Sequence, residues 1–230
     1  MLDELKKDVC EANLKLVAEG LVVQTFGNAS GIDRAGGNVV IKPSGVPYDD
    51  MKPKHMVVVS LVTGEIVEGD LRPSSDTPSH LELYRAFKGA GGIVHTHSLY
   101  ATAWAQSGRE IPPLGTTHAD FFRGPVPVTR RMTAQEIREN YEANTGKVIV
   151  ERFSSMDPMD IPAVLVTGHA PFVWGRTVQE AVENSTALEY VARLAAETLH
   201  IYPYPKCISK ELLEKHFLRK HGPQAYYGQG

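Results

Sequence analysis

The chain has 230 residues, 42% of them apolar, enough for a substantial core, and is read as one α/β domain over 1–230. A net charge of −3 offers no basic field for a nucleic acid or an anionic membrane. Cys10 and Cys207 make no disulfide framework, no apolar run reaches a membrane span, and Met1-Leu2-Asp3-Glu4 lacks a basic-then-apolar leader, so a cytoplasmic protein with free thiols is expected.

In chain order, Leu2, Leu5, Val9, Ala12, Leu16 and Ala18 lie near one stripe and predict an amphipathic helix over 2–19, stopped by Gly20. Residues 24–37, with Gly27, Gly31, Gly36 and Gly37 among Asn28, Ser30 and Asp33, read as a loop with a turn. A short strand is expected over 38–41, broken by Lys42-Pro43-Ser44-Gly45. A hairpin follows, with strands over 56–61 and 65–68 around Thr63-Gly64. Ser74-Ser75-Asp76-Thr77-Pro78 has the chemistry of a helix start, and that helix runs to about 87.

The next stretch, Gly92-Ile93-Val94-His95-Thr96-His97-Ser98, reads as a strand. Residues two apart in a strand share a face, so His95 and His97 present two imidazoles side by side, half of a zinc-type site. A helix is expected over 99–106, an irregular segment over 109–131, and a helix over 133–144 opened by the capping-box pattern Thr133-Ala134-Gln135-Glu136. Strands over 163–167 and 172–174 flank Gly168-His169-Ala170-Pro171, and helices over 177–200 and 209–220 complete the chain. The two close strand pairs call for antiparallel pairing and argue against a doubly wound parallel sheet.

His169, on a turn between strands, is a third candidate ligand. Asp76 is either a fourth ligand or the N-cap of the helix that follows it. Three imidazoles and one carboxylate suit Zn²⁺ and also admit Mn²⁺ or Co²⁺. Neither His-Glu-x-x-His nor Cys-x-x-Cys is present. Three segments have the chemistry of an anion cradle: Gly27-Asn28-Ala29-Ser30, Lys42-Pro43-Ser44-Gly45, and Ser74-Ser75 at a helix N-terminus. None is a P-loop, so with a metal they point to a small phosphorylated substrate and not to a nucleotide.

These pieces, with Gly115-Thr116-Thr117-His118-Ala119-Asp120, Gly168-His169-Ala170-Pro171-Phe172 and the tail from Lys215 through Tyr227 to Gln229, resemble the class II aldolase/epimerase family, in family order and over nearly the whole chain. The resemblance implies a three-layer α/β/α sandwich around a largely antiparallel sheet, and a C4 homotetramer with sites between subunits. It implies that Asp76, His95, His97 and His169 ligate the metal. Asn28, Lys42, Ser44, Gly45, Ser74 and Ser75 would line the phosphate side. Thr116, Asp120, His216, Arg219 and Tyr227 would come from the adjacent subunit, with Asp120 and Tyr227 as proton-transfer groups.

The implied substrate is a phosphorylated ketopentose, and the implied reaction is C4 epimerisation of L-ribulose 5-phosphate to D-xylulose 5-phosphate. C4 bears no acidic proton, so inversion there needs retro-aldol cleavage of C3–C4 and re-addition, with the metal as Lewis acid. The alternative within the family is an aldolase acting on fuculose or rhamnulose 1-phosphate. There the resemblance puts a basic glutamate where this chain has the shorter Asp76. A non-catalytic domain of the adducin type would have lost the ligands that are all present here.

Overall fold

The computed structural model describes residues 2–223 and 225–226. Seven strands form one sheet in the order β4-β3-β2-β1-β5-β7-β6. They are β1 (Asn28–Asp33), β2 (Asn38–Ile41), β3 (Val57–Ser60), β4 (Ile66–Glu68), β5 (Gly92–His95), β6 (Ala163–Leu165) and β7 (Pro171–Gly175). Every neighbouring pair is antiparallel. The helices are α1 (Leu2–Ala18), α2 (Thr77–Ala86), α3 (Leu99–Ser107), α4 (Thr116–Ala119), α5 (Ala134–Arg138), α6 (Tyr141–Arg152), α7 (Val178–Ile201) and α8 (Lys210–His221). Helices α1, α3 and α7 cover one face, and the packed pair α2 and α6 covers the other. The expected three-layer α/β/α architecture is therefore present.

Pattern explains most of these elements. The stripe of α1 buries Val9, Ala12 and Leu16, while its Ala18 end is exposed. Strands β2, β3 and β5 are buried on both faces and run as Val and Ile, as a strand covered by helices must. The Thr133 capping box is made: its hydroxyl accepts from the Glu136 N–H, and Glu136 accepts from the Thr133 N–H at 2.7 Å.

Two local expectations are corrected. The loop expected over 24–37 contains β1, the central strand between β2 and β5. Its sequence offers one β-branched residue, Ile32, and tertiary contacts override that weak propensity. Gly31 is required because a Cβ there would lie 2.7 Å from both Leu5 and Val178, so α1 and α7 rest directly on the strand backbone. The buried Asn13 of α1 closes the strand's start: its Oδ1 accepts from Ala29 N–H at 2.8 Å and its Nδ2 donates to Ala29 C=O at 3.1 Å.

The helix expected over 133–144 is two helices. Asn140 adopts a left-handed φ of 55°, which asparagine tolerates better than most residues. The Asn144 amide donates to the Glu136 carbonyl at 3.0 Å and seals the break.

Candidate metal centre and anion pocket

Antiparallel pairing puts the start of β1, the ends of β2 and β5 and the start of β7 at one side of the sheet. The register pairs Asn28 with His95, Ser30 with Ile41, and His95 with Phe172. The loops that leave this side therefore converge, although they are far apart in sequence.

His95 ends β5 and His97 lies two residues beyond it, while His169 sits on the turn into β7. That turn is closed by Val166 N–H to Ala170 C=O at 3.1 Å, with Gly168 at φ +74°. The three rings form a near-equilateral triangle, with centroids 5.0, 4.9 and 5.0 Å apart. One ring nitrogen from each lies within 4.8 Å of the others, which can hold a metal ion.

The protonation states fit that task. Nδ1 of His95 lies 2.9 Å from the Pro171 carbonyl, so it carries the hydrogen and leaves Nε2 as the lone-pair donor. The His95 ring stacks on Phe172 at 4.2 Å, which fixes its plane. Burial, then the neighbouring His95, lowers the pKa of His97, with Asp76 opposing. Burial, then His95 and His97, lowers His169 to about 4, again against Asp76. Both are neutral at pH 7 and free to ligate. Nδ1 of His169 is buried without a protein partner.

Asp76 occupies the N-cap position of α2, yet its side chain makes no capping hydrogen bond. It turns instead to the β1 side, where its Oδ2 accepts from Asn28 Nδ2 at 2.6 Å. Burial alone would raise its pKa, but His95, His80 and the Asn28 bond hold it below the usual carboxylate range. Asp76 is outside the mutually close histidine set but lines the same cavity.

That cavity, of about 390 Å³, continues from the histidines to the anion segments. Asn28, Lys42, Ser44, Gly45, Ser74 and Ser75 all line it, together with Thr25, Phe26, Gly27 and Pro43. Two of its walls are tied by backbone bonds, Ser44 N–H to Arg72 C=O and Ser74 N–H to Lys42 C=O, each 2.9 Å. Lys42 is buried, which lowers its pKa, while the Asp76 carboxylate pulls it back up. One N–H of Asn28 is spent on Asp76, and its Oδ1 is buried without a protein partner.

The remaining sequence candidates form a second cluster. Arg219 grips Asp120 in a two-point fork at 3.0 and 2.8 Å, and His216 Nδ1 lies 3.1 Å from the same carboxylate. Thr116 joins through its carbonyl, which accepts from Asp120 N–H at 3.0 Å. None of these four lines the histidine cavity. Tyr227 lies outside the described residues. Sequence reasoning passed over Phe26, whose ring lies 6.2 Å from His97, and Tyr141, 6.1 Å from His169. An isolated aromatic in a loop or first helical turn carries no signal for a site. Among the described residues, no helix is long and apolar enough to cross a membrane.

Known proteins share this fold. Solved structures similar to this chain include an L-fuculose 1-phosphate aldolase, 25% identical over 93% of this chain and 94% of that one, with a TM-score of 0.78. The L-fuculose-1-phosphate aldolase of Thermus thermophilus is 25% identical over 89% of this chain and all of that one, with a TM-score of 0.69. YgbL of Klebsiella pneumoniae, whose description leaves aldolase, epimerase and decarboxylase open, is 25% identical over 94% and 98%, with a TM-score of 0.72. The family model described as class II aldolase and adducin N-terminal domain matches residues 7–196. A match over that much of its length shows that the chain belongs to the class II aldolase and adducin N-terminal domain family.

Proposed function

We propose that the protein is a metal-dependent 4-epimerase of L-ribulose 5-phosphate, producing D-xylulose 5-phosphate. The observation that carries the reading is the single cavity in which a histidine triad and Asp76 adjoin Lys42 and the serine segments. One end suits a divalent cation and the other a phosphate, as a small sugar phosphate requires.

His95, His97, His169 and Asp76 would hold the metal, with Zn²⁺ favoured by three imidazoles and Mn²⁺ or Co²⁺ also admitted. When bound, the ion supplies a Lewis acid that draws electron density from the sugar's carbonyl and hydroxyl oxygens. Lys42, Ser44, Ser74 and Ser75 would hold the phosphate, helped by the N-terminus of α2. The phosphate then serves as a tether. Loss of the C4 hydroxyl proton cleaves C3–C4 and leaves glycolaldehyde phosphate beside the enediolate of dihydroxyacetone. The tethered aldehyde rotates, and re-addition to its other face inverts C4. Two proton-transfer groups are needed, one per face, and Asp120 and Tyr227 from a second copy in a homotetramer fill those roles. Within one chain Asp120 is engaged by Arg219 and His216 and does not line the histidine cavity, so it would reach that cavity only from a second copy.

The aldolase reading draws support from the fuculose-phosphate aldolases among the similar structures. Asp76 weighs against it: its short carboxylate, bonded to Asn28 beside the histidines, suits a ligand better than a base reaching toward substrate. The metal-loaded protein should be incubated separately with L-ribulose 5-phosphate and L-fuculose 1-phosphate. Formation of D-xylulose 5-phosphate without accumulated fragments is the expected result. Cleavage of the 1-phosphate alone would replace the epimerase with an aldolase, and no reaction with either would remove both.

A further inference from the structure

Two walls of the anion pocket, 42–45 and 72–75, are fixed to each other by backbone bonds. The third wall, the loop 25–27, is held by side chains: Lys42 ties it to the first wall, and Tyr48, just beyond that wall, makes the shortest of these bonds. Tyr48 opens the short 3-10 turn Tyr48–Asp50, is buried, and does not line the cavity. Its hydroxyl donates to Gly27 C=O at 2.9 Å and approaches Phe26 C=O at 3.4 Å. Its ring lies under the Lys42 ammonium, with Nζ 4.7 Å from the centroid. Lys42 in turn donates to Thr25 C=O at 3.3 Å.

The loop needs such a clamp. Gly27 stands at φ +89°, and a Cβ there would lie 2.8 Å from Val22 and 3.0 Å from the His95 carbonyl. Gln24, at φ 55°, is also left-handed. Glycine adopts its positive φ freely, but a non-glycine residue such as Gln24 stays left-handed only where its surroundings hold it. Lys42 needs a support as well, because the Asp76 carboxylate also attracts it. A ring face beneath a desolvated ammonium stabilises it without neutralising it and leaves its charge for an anion.

We propose that Tyr48 is the positioning residue of the anion pocket: its hydroxyl holds the loop 25–27 against the site while its ring holds Lys42 toward the phosphate. This rests on the reading of the pocket as a phosphate site. It makes Tyr48 a residue that acts through Gly27 and Lys42, never touching substrate.

The test titrates inorganic phosphate by calorimetry into wild type, Tyr48→Phe, Tyr48→Leu and Lys42→Met, with zinc content measured on each. Tyr48→Phe keeps the ring and core volume and deletes only the hydroxyl. It should raise the phosphate Kd roughly three- to tenfold, the scale of one buried hydrogen bond, with zinc content unchanged. Tyr48→Leu also removes the ring and should approach Lys42→Met. If Lys42→Met weakens phosphate and both Tyr48 variants match wild type, the inference about Tyr48 is wrong and the phosphate pocket stands. Zinc content falling in step with phosphate affinity would make Tyr48 a general structural residue and also overturn it. No phosphate binding by wild type, or no effect of Lys42→Met, would remove the phosphate reading and the inference with it.

Discussion

Hydrogen-bond partners outside the ligand set fix two of the site side chains. The Pro171 carbonyl fixes the His95 tautomer, and Asn28 turns Asp76 from cap to wall. Partners of this outer kind are typically worth 10–100-fold in metal affinity or activity, so losing an imidazole itself should cost more. His97→Asn is expected to lose bound zinc and activity together, by roughly a hundredfold or more, as read by metal analysis beside the epimerase assay. Full zinc content in that variant would exclude His97 as a ligand. Asn28→Ala tests the tether: with Asp76 and the pocket wall loosened, glycolaldehyde phosphate and dihydroxyacetone should leak out and be detected by coupled assay. A variant that only slows, with no fragments, would count against the retro-aldol route. His118 gives a pH signature away from the histidine triad. It is buried and donates from Nε2 to Gly124 C=O at 2.6 Å, and burial lowers its pKa to about 4, partly offset by that bond. Unfolded, it titrates near 6.5. Above pH 6.5 both states are neutral and it adds no pH dependence. Between 6.5 and 4 the unfolded chain binds more protons, so stability falls as pH falls, by on the order of 3 kcal/mol for this group. Urea melts at pH 7 and pH 4.5 should show a smaller loss in His118→Gln than in wild type, and parallel losses would contradict the assignment.

The site exists because β1 is the middle strand, and that is the element least visible in the sequence. Strands β2, β3 and β5 are legible because doubly covered strands are runs of Val and Ile. Helices α1, α3 and α7 are legible from stripes, caps and the left-handed Gly108 that ends α3. Asn28-Ala29-Ser30-Gly31-Ile32-Asp33 instead has the composition of a turn, and only its packing under α1 and α7 makes it a strand. The same divide runs through the site. His95, His97 and His169 are legible because ligand chemistry restricts residue type, whereas Tyr48 and Phe172 act through ring position, which spacing does not encode. If β1 is held at its start by the Asn13 amide, Asn13→Ala leaves buried Ala29 N–H and C=O groups without that partner. It should cost roughly 2–4 kcal/mol in urea melts and speed hydrogen exchange most at the Asn28 end of the strand. A loss below about 0.5 kcal/mol, that of an ordinary surface change, would show that the strand does not depend on this bridge.

The two clusters of the chain, the histidine cavity and the Asp120–Arg219–His216 group, share no lining residue, and under the proposed function Asp120 would reach the cavity from a second copy. The exposed Tyr190, Leu194 and Ile201 along α7 offer apolar surface for such an assembly. Mixing Tyr227→Phe with His97→Asn, each inactive alone, under conditions that exchange subunits should restore activity at interfaces that pair an intact histidine site with an intact tail. Exchange verified by mass with no recovery would place Tyr227 in its own chain's site or in none. General acid–base groups are typically worth about 10²–10⁴-fold, so recovery stands well above background. The most direct measurement strips the wild-type protein of metal and titrates zinc back while following conversion of L-ribulose 5-phosphate to D-xylulose 5-phosphate. The account predicts no conversion without metal and a linear rise that stops at one zinc per chain. Conversion at full rate by the metal-free protein, or none at any zinc level, would contradict it.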